Sequence, residues 1–353
     1  MRSALPVVPL LGVLMFLGAC GPVDRGAPAD PGGAEVKDGD QHLLHDEELV
    51  SDLVTADTEP TEPTEPTEPT EPTDSAGPAP AAVLREYGVL HWNIAGGKEH
   101  NCQTGGITRA VARYVEEHDV DFVSLNEVCP QQYDAIRGAL RQLWDKRRQS
   151  EFSAFVGDGT ARVVGNAIFS RHNLTGVTRE KVGEDRYGDR NLLCGRVPAR
   201  PHLRLCSTHL TPGDVGARQQ LSRVIHRTEL WWNNGRDTVL LAGDLNLTPN
   251  DAGLNAVYTE SANTPNNPGN HGRYRELDDA DPDHCRGYGE RSHPGDGGPC
   301  REGGKIDFIF ARANRIADGD YSGDTLNIPD DCGGVCSDHR AVIGRARLRV
   351  RID

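Results

Sequence analysis

The segment TVLLAGDLN, Thr238–Asn246, decides how the chain is read. An unbroken apolar run of this length, followed at once by Gly, Asp and Asn, reads as a strand buried on both faces. The strand ends at Asp244 and Asn246. The same arrangement recurs along the chain. YGVLHWNIAGG (Tyr87–Gly97) begins as a buried strand and turns into a Gly-rich loop just after Asn93. DFVSL (Asp121–Leu125) is a strand with Asn126 and Glu127 at its end. ARVVGNAIFSR (Ala161–Arg171) is a further strand. NLLCGRV and LRLCSTHL form a hairpin centred near Arg200 and ending at His209, and KIDFIFAR and AVIGRARLRV close the chain as strands.

Helical periods lie between these strands. Ile107, Val111 and Val115, with Ala110 and Tyr114, form one apolar stripe. YDAIRGALRQLW and GARQQLSRVIHRTELWW are two more amphipathic helices. Residues 260–304, rich in Gly, Pro, Asn and Asp, carry no period and are read as loop. Helices interspersed with strands, and hairpins among them, predict a mixed-sheet α/β or α+β domain.

Polar residues follow the apolar strand cores in six separate segments: Asn93, Glu127, His209, Asp244 with Asn246, Asp307, and Asp338 with His339. Layered folds collect sites at strand ends, because the sheet holds the loops there rigidly. The set holds carboxylates, amides and histidines, with no thiol. Carboxylate and amide oxygens suit a hard cation such as Mg²⁺, and His with Asp suits proton transfer to and from water. Together they point to metal-assisted hydrolysis of a phosphate ester. The histidines His91, His100, His118, His172, His226, His271, His284 and His293 carry no such context and are assigned to surface or packing.

The N-terminal part has a different character. Residues 1–20 join one Arg to an apolar run that ends LGAC. The run is too short to span a bilayer and reads as an export signal. Its end resembles the lipobox of bacterial lipoproteins, which implies lipidation at Cys20. Residues 21–83 lack apolar periodicity and contain five Thr-Glu-Pro triplets, Thr58–Pro72. Proline at every third position favours extended polyproline II, about 3.1 Å per residue, so the repeat reaches about 45 Å. The segment is read as a disordered acidic stalk. It holds 16 Asp or Glu against Arg25 and Lys37, so nearly all of the net charge of −15 belongs to it. Residues 84–353, read as one catalytic domain, are close to neutral, which excludes a strong nonspecific basic grip on nucleic acid.

Eight cysteines remain after Cys20. An even number in an exported chain predicts disulfides. The hairpin sets Cys194 opposite Cys206. Cys285–Cys300 and Cys332–Cys336 are then local clips, and Cys102–Cys129 links two early loops. Zinc is disfavoured because no CxxC pair occurs.

The segments HWNIAGG, FVSLNEV, GNAIFSR, STHL, LLAGDLN, KIDFIF and CSDHRAV resemble, in order, the successive motifs of the endonuclease/exonuclease/phosphatase superfamily with the DNase I-like fold. The resemblance implies a four-layer sandwich, two mixed β-sheets packed face to face with helices outside. It implies Glu127 as principal metal ligand, with Asn93 near metal and phosphate and Asp338 as a further carboxylate near the metal. It implies that His209 meets the scissile phosphate, that Asp244 and Asn246 orient water and phosphate, and that Asp307 fixes the tautomer of His339. Arg171 and Arg190 either face the substrate phosphate or are solvated surface arginines. Ala95 stands where some family nucleases carry an acidic residue, and the Cys332–Cys336 loop is not a general family feature.

These readings converge on an exported, lipid-anchored phosphodiesterase that uses Mg²⁺ or Mn²⁺, with Ca²⁺ also compatible. A nuclease acting on extracellular nucleic acid is the first expectation. A phospholipid-directed, sphingomyelinase-like phosphodiesterase or an inositol-phosphate phosphatase is the alternative. The loop 260–304 offers Tyr274 and Tyr288 but no Trp or Phe for lipid insertion. The membrane is reached only through the anchor at Cys20, no protein partner is inferred, and the chain is read as a monomer.

Overall fold

The computed structural model describes residues 81–146, 151–161, 163–280, 285–294 and 304–353. The chain divides into two units, 1–72 and 73–353, and the described residues all belong to the second. The predicted signal segment, Cys20, the stalk up to residue 80, His284 and Cys300 lie outside them.

Three helices and twelve strands are present among the described residues: β1 (Ala82–Asn93), α1 (Gly105–Glu117), β2 (Phe122–Val128), α2 (Pro130–Leu143), β3 (Ser153–Gly157), β4 (Gly165–Ser170), β5 (Thr175–Asp185), β6 (Gly188–Val197), β7 (Arg200–His209), α3 (Asp214–Gly235), β8 (Thr238–Asp244), β9 (Tyr274–Glu276), β10 (Asp307–Arg312), β11 (Ile316–Thr325) and β12 (Val342–Arg351). They form two six-stranded sheets, in the orders β11-β12-β1-β2-β4-β3 and β5-β6-β7-β8-β10-β9. Both sheets are mixed: β1 and β2 are parallel, as are β7 and β8, and the other neighbours run antiparallel. Leu90, Trp92, Val123 and Leu125 pack with Ile107, Val111 and Val115 of α1 and Ile136 and Leu140 of α2. Leu192, Val239, Leu241 and Phe310 pack with Ala217, Leu221 and Val224 of α3. Tyr87, Val89, Phe122, Leu203, Leu240 and Ile309 fill the layer between the sheets. The expected four-layer sandwich is observed.

Several elements differ from their expected bounds. β1 starts at Ala82, inside the segment assigned to the stalk, because Ala82 and Val83 pair with Arg351 and Val350. The strand expected at Ala161–Arg171 spans only Gly165–Ser170. β3, β5 and β11 were not expected. β5 and β11 are edge strands whose side chains are largely polar and exposed or half-buried, so they lack an apolar alternation. The stretch read as featureless loop contains β9, and Tyr274 and Tyr288 are buried in it. At its far end Lys305 is fully buried, with its ammonium 2.7 Å from Asp278 Oδ2 and 3.4 Å from Glu276 Oε1. These buried charges compensate one another, which a surface loop would not need.

The layer between the sheets changes character along its length. Side chains two apart on a strand share a face. On β1 that inner face reads Tyr87, Val89, His91, Asn93; on β2, Phe122, Ser124, Asn126; on β7, Leu203, Leu205, Ser207, His209; on β8, Leu240, Ala242, Asp244; on β10, Ala311, Ile309, Asp307. Each row is apolar at one end of the sandwich and polar at the other. The polar end gathers the C-terminal ends of β1, β2, β7 and β8 and the N-terminal starts of the strands antiparallel to them.

Gly243 lets this end close. A Cβ there would lie 2.2 Å from the Thr208 carbonyl oxygen of the paired strand. Backbone cannot yield as a side chain does, so Gly243→Ala is expected to destabilise the protein by about 1–3 kcal/mol. Chemical denaturation checks this; an unchanged midpoint would show that β7 and β8 separate freely.

Candidate active site

The polar end opens into a cleft of about 850 Å³, lined among others by Lys98, Glu127, Asp158, Tyr187, Asp189, Arg190, His209, Asp244, Asn246 and His339. Asp244 Oδ2 is its focus. Asn93 Nδ2 donates to it at 3.0 Å, while His209 Nε2 and His339 Nε2 lie at 3.5 and 3.7 Å. The other Asp244 oxygen accepts the Asn246 N–H at 3.0 Å. Asn246 and Glu127 both have left-handed backbone, φ 50° and 54°. Such strain in non-glycine residues clusters at functional sites.

Asp307 lies directly behind His339 and is wholly buried. Its Oδ2 accepts His339 Nδ1–H at 2.8 Å, and its Oδ1 lies 3.1 Å from His91 Nε2. The segment carrying His339 is held from several sides. Ser337 Oγ donates to the Asn93 carbonyl at 2.7 Å and accepts the His339 N–H at 3.0 Å. Trp92 Nε1 donates to the His339 carbonyl at 2.9 Å. A Cys332–Cys336 disulfide closes the preceding loop, and that loop packs so tightly on α1 that a Cβ on Gly106 would meet Cys332 Cα at 2.6 Å. Cys102–Cys129 ties the loop after Asn93 to the residue two beyond Glu127, and Cys194–Cys206 joins β6 to β7. Cys285 is also disulfide-bonded.

The electrostatics separate the two histidines. Burial opposes a charge on His339, but Asp307 and then Asp244 outweigh it and push its pKa up to about 10. Burial, helped by the positive charge of Arg190, holds His209 well below the ordinary histidine value. Burial and the charge of Asp307 push Asp244 up to about 7. Burial also opposes ionisation of Asp307, but His339 and His91 hold it well below the usual carboxylate range. Near neutral pH the site therefore pairs an imidazolium at His339 with a neutral imidazole at His209.

Strand direction explains where the remaining expected residues fall. Arg171 is not at the site. β4 runs antiparallel to β2, so its C-terminal end lies beside Phe122 at the opposite end of the sheet. There Arg171 pairs with Asp119 at 2.6 Å and lines a separate hollow of about 380 Å³. Arg190, at the start of a strand antiparallel to β7, does line the cleft and is held by Asp185 at 2.9 Å. Asn93 turns its amide nitrogen to Glu127 and Asp244, and its oxygen accepts the Ala95 N–H at 3.1 Å. Its nitrogen thus bridges the two carboxylates. Asp338 is tied to Lys98 Nζ at 2.5 Å, beside the rim.

Two histidines assigned to packing belong to this region. His91 contacts Asp307. The His293 ring lies edge-on to His339, with centroids 4.6 Å apart. Ser292, beside it, accepts the Ile306 and Asp307 N–H groups and receives the Arg340 N–H on its carbonyl. The sequence did carry a signal for His91, Ser124 and Ser207. Each stands two residues before a site residue or its neighbour, hence on the same strand face.

A divalent cation fits this donor set. The cleft is lined by Glu127, Asp158, Asp189 and Asp244 against the cations Lys98, Arg190 and His339. The facing oxygens are hard carboxylate donors of the kind Mg²⁺ accepts. Two groups have ligand atoms within 4.8 Å of one another: Asp244, Asp307 and His339, and His293, Asp338 and His339. In the first, Asp307 and His339 are engaged with each other; Glu127, outside both groups, lines the same cleft and accepts from Asn93 Nδ2 at 3.1 Å.

The histidine charges are measurable in chelator-treated protein. In an NMR titration the His339 ring signals should stay in the protonated position from pH 6 to pH 9, and those of His209 in the neutral position above pH 6. The sign follows for stability. A raised His339 pKa contributes fully below the unfolded histidine value, about 6.5, and is lost as pH rises through about 10. A His339 midpoint near the unfolded value would refute the assignment.

The model of the Endonuclease/Exonuclease/phosphatase family matches residues 90–339. The fold is similar to that of truncated TDP2 from Caenorhabditis elegans, at 15% identity, 74% of this chain, 98% of that chain and TM-score 0.53. It is similar to an endonuclease/exonuclease/phosphatase from Bacteroides vulgatus, at 14% identity, 75% of this chain, 99% of that chain and TM-score 0.53. It is also similar to a mannosyl-6-phosphatase from Bacteroides thetaiotaomicron, at 15% identity, 73% of this chain, 98% of that chain and TM-score 0.50. At these identities the likeness establishes the fold. A comparison with curated proteins gives no match. The chain belongs to the endonuclease/exonuclease/phosphatase family and is a hydrolase of the phosphoesterase class.

Proposed function

We propose that the chain is a divalent-cation-dependent phosphodiesterase that cleaves single-stranded nucleic acid outside the cytoplasm. The observation that carries the reading is the convergence of Asn93, His209 and His339 nitrogens on Asp244 Oδ2 at the floor of an open cleft. Three nitrogens around one carboxylate, two of them on imidazoles, suit a phosphoryl group and an attacking water. The rim supports a nucleotide. Tyr187 is 52% exposed and lines the cleft, with Arg186 stacked 4.7 Å over its ring. An exposed aromatic beside a cation is a stacking platform for a base. The carboxylates Asp158 and Asp189 on the same rim disfavour a long duplex polyanion.

The residues divide the work by their charge states. Water attacks phosphorus in line, forming one O–P bond as the bond to the leaving alcohol breaks. Asp244, titrating near neutrality, takes the proton of the water. His339, already protonated, offers its Nε2–H to the phosphoryl or leaving oxygen. Asn93 and Asn246 orient the phosphate, and neutral His209 borders it. A divalent cation held by Glu127 would neutralise charge developing on the phosphate oxygens. Asp307 stays ionised behind His339 throughout.

The same rim favours a second reading. Asp158 and Asp189 can accept hydrogen bonds from the hydroxyls of a sugar or polyol phosphate. We further propose export and lipid anchoring through Cys20, with residues 21–80 as the stalk. The disulfides are in keeping with an oxidising compartment.

A substrate panel on the purified chain decides between these readings. With Mg²⁺, single-stranded DNA or RNA should be cleaved faster than duplex DNA, and chelator should stop cleavage. Glu127→Ala and His339→Ala should each lower the rate at least about 10³-fold. Intact nucleic acid alongside hydrolysis of a sugar phosphate or sphingomyelin would overturn the nuclease reading.

A further inference from the structure

His91 is fully buried on β1, two residues before Asn93, and is not part of the cleft lining. Its Nε2 lies 3.1 Å from Asp307 Oδ1 and its Nδ1 lies 3.0 Å from Ser124 Oγ. An ionised carboxylate only accepts, so both His91 Nε2 and His339 Nδ1 must present N–H to Asp307. Among the described residues no other side chain donates to Asp307.

We propose that His91 is a positioning residue for the hydrolytic reaction: by occupying Asp307 Oδ1 it leaves Oδ2 to His339 Nδ1–H, which fixes the ring orientation of His339 and aims its Nε2–H at the cleft floor. The inference rests on the proposed part of His339 in hydrolysis. Asp307 alone could turn about its side-chain torsions. With one oxygen bonded to β1 through His91 and the other to His339, the carboxylate is held in place. His91 is itself held by a chain of buried contacts. The Ser124 and Ser207 hydroxyls are 2.8 Å apart, Asn126 Nδ2 donates to Ser207 Oγ at 3.3 Å, and Asn126 Oδ1 accepts the Asp244 N–H at 3.0 Å. One polar seam therefore crosses between the sheets and sets Asp307 and Asp244 relative to each other. A displacement of about 1 Å at the reacting groups can cost about 100-fold in rate, so a side chain that never meets substrate can still limit turnover.

The test uses the full chain with His91→Leu, which removes the donor, and His91→Gln, which keeps an N–H near the position of Nε2. Turnover is followed on bis-p-nitrophenyl phosphate with Mg²⁺, and the His339 Nδ1–H proton by NMR. For His91→Leu we expect kcat to fall about 30–100-fold with KM within about 2-fold, and the His339 proton signal to move or vanish. His91→Gln should recover at least about tenfold of the loss and restore the signal. A folded His91→Leu variant with wild-type kcat and an unmoved signal would overturn the proposal. Should that variant fail to fold, His91→Asn, too short to reach Asp307, replaces it with the same two expectations. If the wild-type chain hydrolyses no phosphate ester, the proposed function fails, and the His339 signal alone still decides for or against His91.

Discussion

A carboxylate with no exposed surface stays ionised between two sheets only if both of its oxygens are paired. Asp307 meets that condition with two imidazoles, one from each side of the first strand pairing: His91 within β1 and His339 just before β12. An unpaired buried charge would cost several kcal/mol and would instead take up a proton. The rest of the site depends on this. Burial and the charge on Asp307 together raise Asp244, and at His339 that charge outweighs burial, which separates the acid from the base at the cleft floor.

The architecture makes such a cluster affordable in water-poor surroundings by confining it to one end of the inner layer. The other end is filled by Tyr87, Val89, Phe122, Leu203, Leu240 and Ile309 and supplies the apolar burial that holds the sheets together. Strand direction then decides membership. Forward strands bring their last residues to the polar end and reverse strands bring their first. That single rule admits Asn93, Glu127, His209, Asp244, Asp307, His339 and Arg190 and excludes Arg171. Loops that carry site residues are fastened covalently, through Cys102–Cys129 beside Glu127 and Cys332–Cys336 before His339.

Much of this was legible in the sequence, and what was missed has physical reasons. Apolar runs ending in Asp, Asn, Glu or His marked the central strands, because a strand buried on both faces must be continuously apolar until it reaches the site. β5 and β11 were invisible because edge strands bury little and carry no apolar alternation. Arg171 was misplaced because a motif gives residue order and not strand polarity; the hairpin logic applied to Cys194 and Cys206 would have put it at the far end had it been applied to β2 and β4. His91 and His293 were passed over because each looked solitary. His91 is in fact the period-two neighbour of Asn93. His293 lies in a stretch without period whose placement is set by Ser292 and by contacts distant in sequence.

The central claim is that the reacting phosphate sits over Asp244, between His209 and His339. A crystal structure of the full chain with Mn²⁺ and a dinucleoside phosphorothioate tests it most directly. The account predicts phosphoryl oxygens within hydrogen-bond reach of His339 Nε2 and Asn93 Nδ2, the cation on Glu127, and His339 still bonded to Asp307. A phosphate bound elsewhere, such as in the hollow beside Arg171, or a His339 ring turned away from Asp307, would contradict it.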